Sequence, residues 1–319
     1  MKDIKLLYLP VVAVVLFSCS ILPKNLGKEE GFIWCNARYL DFWAYPKLGS
    51  VDPIRDKRFA LADKGYLYAL AASITLQKEG KDEDKHFIAP PYMNRVSKLE
   101  WDDKNGFQAS TFELYEETGS SQLKEVIVAF RGTDEPKDWL KQNISLAPEQ
   151  FPPARQYLKL VAYTYPTSRI VVAGFSLGGG LAIHVLLHSE TSILISEAWA
   201  FNPSPVTGFK ERVDERLYVV ANEGEILKSL RKLNWGPSHL GAIDEHYTDN
   251  FDLVESSSVY GHSRWVLTRQ MLFFADMVHY ERSGRRDQSS PSLEILKLAN
   301  TPKGCCGSRK QYLTDQGRL

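Results

Sequence analysis

The chain has 319 residues, 44% of them hydrophobic and 24% charged, and its 39 Lys and Arg balance 39 Asp and Glu. That length buries a sizeable core, and the composition excludes a disordered or collagen-like chain. Balanced charge without a basic stripe excludes a nucleic-acid-binding surface, and the short cluster from Arg282 to Arg286 reads as solvated surface.

The N-terminus, "MKDIKLLYLPVVAVVLFSCS", places Lys2 and Lys5 before an apolar run from about Leu6 to Phe17 and then small residues. That order is the one a secretory signal uses. The run falls short of the roughly 20 apolar residues that a membrane span requires. Leu16 to Cys19, "LFSC", resembles a bacterial lipobox. The resemblance implies a signal peptide over 1–18, acylation of Cys19, and attachment of an exported lipoprotein to a membrane of the cell envelope. An ordinary cleaved signal, with secretion, and a retained anchor are the alternatives. Residues 19–55 are expected to form a tether and N-terminal extension, and 56–319 a single domain. Outside the cytoplasm disulfides persist, so a bridge from Cys35 to Cys305 or to the adjacent Cys306 is one expectation and three free thiols the other. No Cys-x-x-Cys or paired His/Cys spacing suggests a metal site.

Phe59 to Thr75 is rich in Ala and Leu at helical spacing and predicts an amphipathic helix. Lys78 to His86 is a charge-dense surface loop. Gly106–Glu117 and Glu125–Thr133 flank the turn-rich "TGSSQ" and predict a hairpin whose second, continuously apolar strand is the more central. Three apolar runs follow, "RIVVAGFS" from Arg169, "EAWAFNPSP" from Glu197 and "LYVVANEGE" from Leu217, with a helix between the first two and another beyond Gly261. This alternation predicts an α/β fold, a mostly parallel sheet covered by helices on both faces.

The first run leads through Gly174-Phe175-Ser176-Leu177-Gly178 into "LGGGLAIHVLL". Strand, Gly-x-Ser-x-Gly and helix are the parts of a nucleophile elbow. In such an elbow the serine sits in a sharp strained turn and the glycines let neighbouring backbone pass. The turn also aims helix N–H groups at the reaction centre, so the amide of Leu177 is a candidate oxyanion donor. A glycine-rich turn with an idle serine is the competing interpretation.

"VIVAFRGT", "DWL", "GFSLGGGLA", "AFNPSPV", "VVANEGEIL" and a late Gly-His come in an order that resembles the class 3, fungal-type, lipase family of α/β hydrolases. The resemblance runs from about Val126 to His262, somewhat under half the chain. It implies an α/β-hydrolase fold and carboxylic ester hydrolysis, as lipase, phospholipase or esterase, with no metal or organic cofactor. It also implies that Thr133, through its backbone amide, is the second oxyanion donor, and that Asp138-Trp139 belongs to the scaffold. The base should follow the serine in the chain. His262, in "VYGHSRW", matches the family's late histidine, while His239, His246 and His279 are the other candidates and His184 and His188 sit on the helix leading away. The acid should lie just past "LYVVAN". The family usually has Asp there; this chain has Glu223 and Glu225, and Glu225 precedes Ile226-Leu227 as the family's acid precedes its apolar pair. Glu223, Asp244 and Asp249 are the rivals.

Asp134 to Pro166 is expected to cover the site, with Pro148, Pro152 and Pro153 interrupting any long lid helix. That favours esters or phospholipids over bulk triglyceride as substrate. A catalytically silent envelope lipoprotein on the same scaffold, binding a lipid or a partner, is the competing class. A thioesterase or a peptidase is the competing chemistry.

Overall fold

The structure is a computed structural model that describes residues 52, 54–78, 86–102, 106–132, 147–210, 213–235, 247–251, 258–284, 292 and 293. The segments holding Cys19, Cys35, Cys305 and Cys306 lie outside them, as do the signal, the expected bridge and all of the tether but residues 52, 54 and 55.

Eight strands form one sheet: β1 (Met93–Arg95), β2 (Trp101–Asp102), β3 (Gln108–Tyr115), β4 (Leu123–Phe130), β5 (Ile170–Phe175), β6 (Glu197–Phe201), β7 (Leu217–Asn222) and β8 (Tyr247–Phe251). They lie in the order β1-β3-β4-β5-β6-β7-β8, with β2 also paired to β3. The predicted hairpin is β3 and β4, antiparallel with Thr111 opposite Val128. From β4 to β8 every pairing is parallel; Val128 aligns with Val172 on β5, and Val172 with Ala198 on β6. Strands β5 and β7 are buried at every residue, as expected of a sheet covered on both faces.

Alternate residues of β3 to β7 feed two separate cores. Ile127, Ala129, Val171, Ala173, Trp199 and Val220 face one side, together with α1 (Lys57–Thr75) and the long C-terminal helix. Val126, Val128, Val172, Ala198, Ala200 and Val219 face the other, under α2 (Ala147–Thr164) and α3 (Leu177–Leu187). Beyond β7 come α4 (Leu227–Trp235), the short α5 (Ser258–Gly261) and α6 (Arg264–Ser283). This is a mostly parallel α/β sheet with helices on both faces.

Two expectations are corrected. Helix α1 is present and capped by Asp56, whose carboxylate accepts the amide of Arg58, but it is not amphipathic over its length: every residue from Tyr68 to Thr75 is buried. It lies between the sheet and α6, so both its sides are covered. Ala69, Ala71 and Ala72 bring the helices close, and Ser73 Oγ meets Thr268 Oγ1 at 2.6 Å.

The second correction concerns the segment expected to cover the site. Its residues 147–164 form α2, which docks Phe151, Ala154, Tyr157, Leu158 and Val161 onto the sheet as scaffold. Pro152 and Pro153 remove two amide donors, but the carbonyls those donors would have served belong to Pro148 and Glu149, in an exposed first turn that water can solvate. Burial of the apolar stripe outweighs that loss. Residues 134–146 of the expected cover lie outside the described residues.

Candidate active site

The site stands where β5, β6 and β7 end, at the C-terminal edge of the parallel strands. Ser176 is pinned between β5 and α3 with φ 55° and ψ −118°. An L-residue in such a conformation costs on the order of 1–3 kcal/mol, so its surroundings must impose it. They do so through the main chain. Ser176 N donates to Phe201 O at 2.9 Å, and Ser176 O accepts from Ser204 N at 2.9 Å and Gly180 N at 3.1 Å. The flanking glycines are steric requirements: a Cβ on Gly174 would overlap the carbonyl of Gly178, and one on Gly178 the carbonyl of Phe130. Leu177 opens α3, so its amide is among the first-turn N–H groups that have no acceptor within the helix.

His262 follows α5 directly. Its Nε2 lies 3.0 Å from Ser176 Oγ and its Nδ1 2.6 Å from Glu225 Oε2. An ionised carboxylate only accepts, so Nδ1–H donates to Glu225 and Nε2 is left to accept the serine hydroxyl. Two asparagines at strand ends hold the histidine's backbone. Asn202, at φ 40° after β6, donates Nδ2 to Gly261 O at 3.2 Å and His262 O at 3.3 Å, while its Oδ1 accepts Asn222 N at 2.9 Å. Asn222 Nδ2 also donates to Gly261 O, and Gln270 Nε2 on α6 donates to Asn222 Oδ1 at 2.7 Å.

Glu225 reaches the histidine from the turn after β7, with its side chain 0% exposed. Its Oε2 also accepts the Leu227 amide at 2.9 Å, and its Oε1 lies 2.5 Å from Arg231 Nη2. Burial by itself pushes the Glu225 carboxyl up, but the charge of Arg231, then that of His262, and the hydrogen bonds from His262 and Leu227 N reverse this and hold it below the ordinary value.

The structure therefore brings Ser176, His262 and Glu225 into one hydrogen-bonded chain and leaves the other described candidates apart from it. Glu223 is exposed. His279 pairs with Asp63 across α6 and α1. His184 is buried under α2, stacked on Phe151 at 3.9 Å with Nδ1 3.0 Å from Thr207 O and Nε2 2.8 Å from Arg155 Nη1. Burial pushes its pKa down to about 4, consistent with a neutral packed ring. His188 is half-buried beside it. Asp249 falls in β8. Thr133, Asp138, Trp139, His239, Asp244 and His246 lie outside the described residues.

The sequence reading passed over Asn202, Asn222, Gln270 and Arg231. A signal existed for the asparagines, since each ends an apolar strand run and Asn tolerates positive φ. None existed for Arg231, because "LKSLRKL" reads as a solvated basic face. Among the described residues no group of three His, Cys, Asp or Glu side chains could hold a metal ion, and no helix is long and apolar enough to cross a membrane.

Residues 75–207 match the Tle-like phospholipase domain, described as phospholipase-like. The matched stretch contains Ser176 and ends before Glu225 and His262. By sequence, no curated protein matches the chain. Among solved structures the chain is similar to Lip2 lipase from Yarrowia lipolytica, with 15% identity and a TM-score of 0.37 over 53% of this chain and 73% of that one. It is similar to the native Rhizomucor miehei lipase propeptide complex at 16% identity and a TM-score of 0.35, over 54% and 62%. Lipase II from Rhizopus niveus shows 12% identity and a TM-score of 0.34, over 56% and 76%.

Proposed function

We propose that the chain is a serine hydrolase of the lipase and phospholipase kind, cleaving carboxylic esters through an acyl-enzyme on Ser176. The observation that carries this is the unbroken hydrogen-bonded chain from Glu225 through His262 to a serine held in a strained turn. The phospholipase-like match over residues 75–207 supports the substrate class.

In the first half-reaction Ser176 Oγ attacks the ester carbonyl carbon as His262 Nε2 takes the hydroxyl proton. Glu225 keeps Nδ1 protonated and stabilises the imidazolium. The carbonyl oxygen becomes an oxyanion, for which the Leu177 amide in the first turn of α3 is the first proposed donor and Thr133, by resemblance, the second. Each such donor is worth roughly 2.7–4 kcal/mol in the transition state. Collapse expels the alcohol, which leaves with the proton from His262. Water then attacks the acyl-enzyme, its proton passing through His262, and the acid departs as Ser176 regains its hydrogen.

A membrane lipid is the substrate we favour. The lipobox-like "LFSC" ending at Cys19 would tether the enzyme to an envelope membrane, beside phospholipid. The direct test is product analysis on vesicles of a diacyl phospholipid with different acyl chains at its two positions. Release of one free fatty acid with the matching lysophospholipid, absent from Ser176→Ala, is the expected result. Turnover of acyl thioesters with no release from any phospholipid or glyceride would assign the site to a thioesterase instead.

A further inference from the structure

Arg231 is a long cation in an unusual place. It sits on the second turn of α4 with its side chain only 2% exposed, a setting that is expensive for a guanidinium unless an anion meets it. Two contacts meet it. Nη2 lies 2.5 Å from Glu225 Oε1, the carboxylate oxygen turned away from His262, and Nη1 donates to Pro203 O at 2.9 Å. Pro203 precedes Ser204, whose amide donates to the carbonyl of Ser176. One guanidinium thus spans the acid's outer oxygen and the loop that backs the nucleophile.

We infer that Arg231 is a positioning residue of this site, a clamp that turns the long Glu225 side chain so that Oε2 faces His262 and ties the acid's turn to the wall of the nucleophile elbow. The inference rests on the proposed hydrolase reading. A glutamate has one more rotatable bond than an aspartate, and the hydrogen bonds from His262 and the Leu227 amide hold only Oε2, so a partner on Oε1 fixes the second edge of the carboxylate. The fork geometry of arginine supplies that partner and reaches Pro203 O as well, which a lysine ammonium could not do from one rotamer. The cationic groups acting on Glu225 are Arg231 from α4 and His262 from the loop after α5, and the Leu227 amide donates to it from α4's first turn. Removing Arg231 withdraws the one cation that does not itself take part in proton transfer.

The test compares the unaltered protein with Arg231→Met and Arg231→Lys, using hydrolysis of p-nitrophenyl butyrate across pH and the rate of Ser176 labelling by a fluorophosphonate. Arg231→Met is expected to lower kcat by about tenfold or more with KM nearly unchanged, the pattern of an interaction that matters only in the transition state. It should slow labelling in proportion and move the acid limb of the kcat profile up by about one pH unit, since a carboxylate losing a close cation shifts by that order or more. Arg231→Lys keeps the charge and loses the fork. It should keep the acid limb within a few tenths of a pH unit of the unaltered protein's and still lose several-fold in kcat. A kcat, labelling rate and acid limb in Arg231→Met equal to those of the unaltered protein overturn the inference. Should Arg231→Met not fold, an undiminished kcat in Arg231→Lys overturns it and a several-fold loss with unchanged KM supports it. Absence of labelling in the unaltered, folded protein removes the hydrolase reading and this inference together, whereas equal labelling in all three removes the inference alone.

Discussion

The two ends of the parallel sheet each bury a glutamate against an arginine, and they are not alike. At the N-terminal end of the strands Glu125 meets Arg169, which also pairs with Glu197 at 2.7 Å; Glu197 pairs with Lys64 at 2.9 Å, and Tyr68 donates to Glu125 at 2.8 Å. At the C-terminal end Glu225 meets Arg231 and His262. In the first cluster every cation is a fixed one, and no hydroxyl lies in a strained turn. In the second, one partner is a histidine whose other ring nitrogen touches a serine. Strain separates the ends as well: Ser176 and Asn202, the two non-glycine residues with positive φ among those described, both lie at the C-terminal end. A buried carboxylate with an arginine is therefore no sign of catalysis by itself; a titratable partner and backbone strain at the same place are.

The contrast can be broken or sharpened by substitution. The largest effect is expected from Ser176→Ala, which should cut kcat on p-nitrophenyl butyrate by about a millionfold with the fold intact by circular dichroism. Glu225→Gln should cost about ten-thousandfold, as loss of the orienting acid does elsewhere. It should also lower stability by roughly 3–5 kcal/mol in urea titration, because Arg231 is left buried without its anion. Glu125→Gln is the mirror experiment. It should cost only about 1–3 kcal/mol, since Arg169 is more than a third exposed and water takes over part of its charge, and kcat/KM should not change. A large loss of kcat/KM in Glu125→Gln would erase the distinction between the ends.

The smallest effect concerns pH. His184, with a pKa near 4 against 6.5 when exposed, is depressed on folding, so the unfolded chain binds more protons between those values. Its share of stability is complete above about 6.5 and declines as pH falls toward about 4. Glu225, also depressed, contributes stability that is present above its unfolded value of 4.5 and is lost as pH falls through its lower folded value. His184→Gln should flatten the dependence of the melting temperature on pH between 6.5 and 4; an unchanged slope there would mean that other groups set it.

Much of this architecture was legible because single residues announced it. The strand runs from Ile170, Ala198 and Leu217 are apolar without interruption, which only a doubly covered strand allows, and Gly174 and Gly178 mark the elbow because no larger residue fits there. Ser176 could be singled out from the strand, turn and helix around it, whereas His262 and Glu225 were indicated through the resemblance to the class 3 lipase family. The misreadings have one physical cause. Whether α1 shows one apolar face or two and whether Pro152 and Pro153 interrupt α2 both depend on what packs against the helix, and a local pattern does not contain that. Asn202 and Asn222 stand between: their positions at strand ends were visible, but their hold on Gly261, and on His262 through Asn202, exists only once β6, β7 and α5 converge.

The most direct measurement is fluorophosphonate labelling of the purified full chain, with the adduct located by mass spectrometry and with Ser176→Ala and His262→Ala alongside. A single adduct on Ser176, absent from Ser176→Ala and strongly slowed in His262→Ala, is the expected result. A folded protein that takes no label, or takes it on another residue, would contradict the assignment of Ser176 as an activated nucleophile.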